Sequence, residues 1–94
     1  MEAVPVDLPG HELVSQGLAD LREGRESEAS LLVSMAAPRL RALGFEIPDG
    51  EAHRPSHRLY ELLSREPGAH SRYNALVRRM VSFARAAESA SARR

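Results

Sequence analysis

The residues with the clearest potential for chemistry are histidines near the middle of the chain. His53 and His57 lie four residues apart, and Glu61 follows His57 by four more. Residues with this spacing meet on one face of a helix, where imidazole and carboxylate groups can bind a metal ion together. Pro55 separates the two histidines, however, and the pattern supplies no clear fourth ligand. We therefore expect solvated side chains here and predict no metal site.

A second pattern, REPGAH at 65–70, matches the Arg-x4-His spacing found in small helical ribonucleases. Such a site needs both side chains to face one cleft from one ordered helix, so that they can stabilise and protonate a phosphate oxygen. The Pro67-Gly68 pair between Arg65 and His70 predicts a turn instead. We interpret the match as coincidence.

The rest of the sequence offers no catalytic pattern. We find no activated nucleophile, no Gly-rich phosphate loop and no acid pair, and the chain contains no cysteine for a thiolate zinc site or a disulfide. We predict that the protein is not an enzyme and uses no cofactor. The remaining enzymatic alternative is a metal or phosphodiester site built on His53, His57, His70 and Arg65.

Length and composition predict one domain that covers residues 1–94. The segment MEAVPVDLPG has neither the basic nor the apolar region of a secretory signal, and the apolar runs are too short to span a bilayer. We expect a soluble cytoplasmic protein with a loose arm at 1–8 and a frayed tail at 89–94.

The first half of the chain predicts two helices. The first has Pro9 in its first turn, contains Gly17 on its apolar stripe and ends at Gly24; that glycine would let a neighbouring helix approach closely. Ser27 is a good N-cap for the second helix, which ends at Gly44. Pro38 predicts a kink in this helix near Ser34.

The second half predicts two more helices after a loop at 45–56, in which Phe45 and Ile47 are expected to pack against the core. The third begins at Pro55 or Ser56 and stops at Glu66, and the fourth begins at Ser71 or slightly earlier. Nothing alternates as a strand would. The predicted fold is all-α, with four helices in two antiparallel hairpins, or three helices if the last connection is continuous.

Charge is distributed unevenly along the chain. All 13 basic side chains are Arg, yet residues 1–51 carry a net charge of −6 and residues 52–94 a net charge of +6. The two halves can attract each other within one fold or between two copies, or they can leave a basic face for an acidic ligand.

The fourth helix concentrates this positive charge. On a helical wheel its apolar residues form one stripe, with Arg72 and Arg79 on one side and Asn74, Arg78 and Arg85 on the other. A nucleic-acid recognition helix would cluster its Arg and Asn on the exposed face. Arginines on both sides of an apolar stripe favour contact with acidic protein surface instead.

We therefore predict a small helical interaction module that self-associates, as a dimer for example, or docks on a partner protein through its fourth helix. The alternative is a nucleic-acid-binding regulator that uses the basic half. Tyr73, Met80 and Phe83 would be the anchors of the protein interface. The predicted partner-binding residues are Arg72, Tyr73, Asn74, Arg78, Arg79, Met80, Phe83 and Arg85.

Overall fold

A computed structural model of the chain describes residues 4–48 and 53–92, with side chains up to residue 90. The described residues form four helices: α1 (His11–Arg22), α2 (Glu28–Ala42), α3 (Pro55–Leu63) and α4 (Ala69–Ala92). No strand occurs among them, so the all-α prediction is confirmed. Residues 64–68 separate α3 from α4, which excludes the three-helix alternative.

A serine and a buried aspartate order the connection between α1 and α2. Ser27 caps α2: its Oγ accepts a hydrogen bond from the Ser30 amide at 3.0 Å, as the sequence predicted. The same hydroxyl donates to Oδ2 of Asp20 at 2.6 Å. Asp20 is only 2% exposed and also accepts hydrogen bonds from Gln16 at 2.9 Å and Arg25 at 3.0 Å. The two helices are therefore joined by a satisfied polar network as well as by a cap.

Helices α1 and α2 approach each other closely at Gly17. A Cβ atom placed on Gly17 would lie 2.4 Å from Cγ2 of Val33 and 2.5 Å from the carbonyl oxygen of Ala29. No side chain fits at such distances, so the predicted close approach is confirmed.

The core contains side chains from all four helices and from residues outside them. Phe45, in the segment after α2, packs its ring 5.6 Å from the ring of Phe83, and Ile47 is buried, as predicted. A turn expected at Asp49-Gly50 lies outside the described residues. The fully buried side chains include Val14, Leu18, Leu31, Leu32, Val33, Leu40, Leu59, Leu63 and Phe83.

Two helix ends differ from the predictions. Pro9 does not lie in the first turn of α1, because Gly10 is the N-cap with a φ of +79° and the helix begins after it. Helix α3 ends at Leu63, before the predicted Glu66. Ser64 is its C-cap, and its hydroxyl donates to the carbonyl oxygen of Tyr60 at 2.7 Å.

The residues before α1 are partly packed against the core, and the described C-terminal end is helical. Leu8 belongs to the buried core whereas Val6 is 78% exposed, and helical backbone continues to Ala92. The single domain, the loose arm at 1–8 and the frayed tail at 89–94 stay predictions.

In the part of the chain that is described, no helix combines the length and apolar content needed to cross a membrane.

Candidate functional site

All eight predicted partner-binding residues lie on α4, and the structure places them on different sides of that helix. Met80 and Phe83 face the core, where they are 5% and 0% exposed. Phe83 therefore offers no surface to a partner in this conformation, and Met80 offers very little. Their predicted role as the anchors of an interface stays a prediction.

One flank of α4, here termed the inner flank, contains Arg72 and Arg79. Nη2 of Arg72 donates to both carboxylate oxygens of Glu28, at 3.1 and 3.2 Å. Nη2 of Arg79 donates to Oε1 of Glu12 at 2.9 Å. Glu12 and Glu28 lie in the first turns of α1 and α2. The inner flank is thus bound to the acidic half of the same chain.

Arg58 on α3 pairs the two halves in the same way. Its guanidinium makes a two-pronged contact with Glu26, at 2.8 Å from Nε and 2.7 Å from Nη2. The hydrogen bond from Arg58 lowers the pKa of Glu26, and the positive charge acts in the same direction. Arg58, Arg72 and Arg79 therefore direct their charge to acids of the N-terminal half.

The opposite flank of α4, the outer flank, contains Asn74, Arg78 and Arg85, all exposed. Nδ2 of Asn74 lies 3.2 Å from Nε2 of His70, one turn earlier. Among the described residues, Arg78 and Arg85 have neither an ion pair nor a hydrogen-bond partner. The two are seven residues apart, which is about 10 Å along the helix axis.

An apolar groove opens between α2 and α4 beside the outer flank. Its volume is about 230 Å³. Met80 and Leu32 are buried at its floor, whereas Val77 and Val81 are half-buried and accessible from outside. The α2–α4 groove is lined by Leu32, Met35, Ala36, Arg39, Val77, Met80, Val81 and Ala84.

The groove and the outer flank are continuous on the surface of α4. Val77 also lines a shallow depression together with Asn74 and Arg78. Arg85 follows Val81 by one turn, so the two side chains are neighbours on the helix surface. The apolar groove is therefore bordered along α4 by two cations with no described partner.

Arg39 and Glu88 connect the two walls of the groove. Nε and Nη2 of Arg39 both lie 3.1 Å from Oε1 of Glu88. This pair joins the last turn of α2 to the C-terminal part of α4, beyond Ala84. It marks one end of the groove.

Tyr73 lies away from the groove, in an aromatic cluster between α3 and α4. Its ring centroid is 5.5 Å from that of Tyr60, which is also 6.4 Å from the ring of His70 in an edge-on contact. Tyr60 is 40% exposed. The predicted anchor Tyr73 is therefore half-buried against α3 and is not brought together with Arg78 and Arg85.

The residues considered for metal or phosphate chemistry are dispersed. Nε2 of His57 lies 3.8 Å from Oε1 of Glu61, and His53 is exposed ahead of α3. Arg65 lies in the connection after α3, whereas His70 belongs to the first turns of α4. Within the described ranges, no three His, Cys, Asp or Glu side chains converge as metal ligands do.

The sequence did not indicate that α2 contributes to this surface. Met35 and Ala36 lie among the apolar residues of α2, yet both remain half-buried at the groove. Residue type and spacing do not separate these two side chains from the buried members of the same stripe. A helical wheel cannot show which edge stays open, because that depends on where α4 packs.

Comparisons with protein-family models, with curated proteins and with solved structures found no significant match. The geometry of the groove and of the two flanks is therefore what indicates a function.

Proposed function

We propose that this chain is a small helical interaction module that docks on a partner protein through the α2–α4 groove. The observation that supports this most is an open apolar groove with Arg78 and Arg85 along its edge, two arginines that have no partner among the described residues. In protein interfaces apolar contact contributes most of the affinity, whereas charges set orientation and association rate. The proposal assigns no catalytic step to the protein.

The charge pattern favours a different protein over a second copy as the partner. If two copies packed their α4 helices antiparallel across Val81, Arg78 of one copy would lie near Arg85 of the other. Like charges in contact oppose such packing. We therefore propose docking on a different protein. Crosslinking from the groove would distinguish this from a dimer.

Nucleic-acid binding through the basic half stays the alternative. Three of its arginines are bonded to carboxylates of the same chain, which reduces the positive charge available to phosphates. Arg78 and Arg85, which have no described partner, border an apolar groove, whereas nucleic-acid-binding surfaces are continuous basic patches or stripes.

The arrangement of the helices that form the groove is also part of the proposal. Short connections at 23–27 and 64–68 support two antiparallel hairpins, α1 with α2 and α3 with α4. Pro38 supports a bend in α2, because proline lacks an amide hydrogen and its ring crowds the preceding turn. A cytoplasmic location is in keeping with a chain that contains no cysteine.

Site-specific photo-crosslinking tests the docking surface directly. The full chain is expressed in the organism from which it comes, with a benzophenone amino acid in place of Val81 in the groove. A second variant carries the same amino acid in place of Ala75. Ala75 is exposed on the side of α4 away from the groove, so it is a matched control. Mass spectrometry identifies the adducts, and circular dichroism verifies that both variants remain helical.

We expect a protein adduct at position 81 and none of the same mass at position 75. An adduct with a second copy, together with a mass that rises with concentration in light scattering, would replace docking on another protein with self-association. A nucleic-acid adduct would support the alternative function. Equal labelling at both positions, or none at position 81, would contradict the proposal.

A further inference from the structure

The walls of the α2–α4 groove are apolar and offer little that could orient a polar ligand. In the described part of the chain, every fully buried side-chain nitrogen or oxygen has a hydrogen-bond partner. An extended peptide in such a groove would leave its own backbone groups unpaired, which costs free energy. A helix satisfies its backbone internally and presents only side chains. The chemistry of the walls therefore favours a helix as occupant.

The length and volume of the groove also favour a helix as its occupant. Its lining spans seven residue steps on each wall, from Leu32 to Arg39 and from Val77 to Ala84. Each wall is thus two helical turns, or about 10 Å, long. The volume of about 230 Å³ is below the roughly 300–1,000 Å³ of small-molecule sites. A third helix that places one or two apolar side chains between α2 and α4 matches this shape.

The inner flank shows what arginines at this spacing bind. Arg72 and Arg79 are seven residues apart and engage Glu28 and Glu12. Arg78 and Arg85 have the same spacing on the outer flank and no described partner. The planar guanidinium group is suited to carboxylates, which it binds by two parallel hydrogen bonds. Carboxylates about two turns apart would complete the outer flank.

We infer that the groove binds an acidic amphipathic helix of another protein. Its apolar side chains, spaced by three, four and seven residues, enter between Met35, Val77 and Val81. Two Asp or Glu residues about seven positions apart contact Arg78 and Arg85. This inference rests on the proposed function and specifies the chemistry of the partner.

A display library of 20-residue helical peptides, randomised on one face, tests the inference. The library is selected on the full chain and on two charge-reversed variants. R78E/R85E reverses the outer flank, and R22E/R65E makes the same change of net charge at exposed positions away from the groove. Chemical shifts of the Val77 and Val81 methyl groups locate the bound peptides.

Selected peptides are expected to carry an apolar row with two acids about seven positions apart and to shift both methyl groups. Their affinity should fall about tenfold or more on R78E/R85E and change little on R22E/R65E. The same peptides with Lys in place of the two acids should recover binding to R78E/R85E, which a merely unfolded variant would not show.

The contrary outcomes separate this inference from the proposed function. Peptides that bind the groove without acids, or equally well to R78E/R85E, would overturn the acidic helix and leave the docking groove intact. No enrichment, or peptides that shift residues elsewhere, would overturn the helix as occupant. A crosslink from position 81 to a protein would then show that the groove binds a segment of another kind.

Discussion

The two flanks of α4 carry the same residue type at the same spacing in different surroundings. On the inner flank, Arg72 and Arg79 reach carboxylates on α2 and α1 at about 3 Å. On the outer flank, Arg78 and Arg85 border the α2–α4 groove and meet no acid among the described residues. The difference comes from the neighbouring helices, since α4 is continuous through both pairs.

Among the described residues, only some arginines of the basic second half pair with acids of the first half. Acids of α1 and α2 contact one flank of α4, whereas none of the described acids contacts Arg78 or Arg85 on the other. The outer flank lies beside the half-buried apolar groove, so exposed positive charge and accessible apolar surface are adjacent. That coincidence is the basis of the docking proposal.

The largest effect should follow from a substitution on the core side of α4. Phe83→Ala removes a fully buried ring and should lower the free energy of unfolding by about 3–5 kcal/mol. Val81→Ala, two residues away in the groove, should cost less than about 1 kcal/mol because the site is half-buried. Denaturant titration of both variants measures the contrast. Equal costs would show that Phe83 is not the core residue described here.

The next largest effect concerns Asp20 of α1, which is hydrogen-bonded to the N-cap residue of α2. The hydrogen bond from Ser27 is the main cause of the lowered pKa of Asp20; Gln16 and Arg25 add to it, and burial opposes it. Asp20→Asn should reduce the free energy of unfolding by about 2 kcal/mol at neutral pH, because buried charge-assisted hydrogen bonds are lost. Denaturant titration against the wild type measures this loss.

The effect of Asp20 should depend on pH in a defined direction. Its pKa is lower in the folded chain than the ordinary value of 3.8, so its stabilisation is complete above that value. It is lost as the pH falls through the folded-state pKa. The gap between wild type and Asp20→Asn should therefore narrow below about pH 3.8. The exposed Asp7→Asn is the control, and a gap that stays constant down to pH 2 would contradict the role given to Asp20.

A smaller loss should follow from a larger side chain at the close approach of α1 and α2. Gly17→Ala places a methyl group against Val33 and Ala29, at a cost of about 1–3 kcal/mol. The better helix propensity of alanine offsets about 1 kcal/mol of this. A net loss in thermal or chemical stability is expected, whereas Ser15→Ala, exposed on the same helix, should be neutral or slightly stabilising. A more stable Gly17→Ala would mean that α1 and α2 are not in close contact.

The smallest effect compares the two flanks themselves. R72A/R79A removes the exposed ion pairs to Glu28 and Glu12, together with a longer one from Arg72 to Glu66. Each lost pair should cost about 0.2–1 kcal/mol. R78A/R85A should change stability by less than about 0.5 kcal/mol, since no described contact is lost. Salt at about 0.5 M should reduce the difference by screening. An equal loss in the two double variants would remove the distinction between the flanks.

Local signals in the sequence predicted much of this structure. The Ser27 cap, the close approach at Gly17 and the four helices follow from residue type and spacing. The helical wheel also divided the arginines of α4 into the two groups that the structure places on opposite flanks. Such signals depend on the chain within one or two turns, which is why they can be interpreted without tertiary contacts.

Features that depend on packing could not be predicted. Asp20 resembles any other acid on an amphipathic helix, and only the fold shows that three side chains bury and satisfy it. Met80 and Phe83 were expected as anchors because a wheel does not distinguish core from interface. Likewise, which flank of α4 meets Glu12 and Glu28 depends on how α1 and α2 pack against α4.

Crosslinking from position 81 in the background of each charge-reversed variant shows whether the outer flank and the α2–α4 groove bind a partner together. We expect a partner protein to be captured by the otherwise unchanged chain and by R22E/R65E, and its yield to fall about tenfold in R78E/R85E. Undiminished capture of the same partner by R78E/R85E would contradict the claim that the outer flank and the groove act as one docking surface.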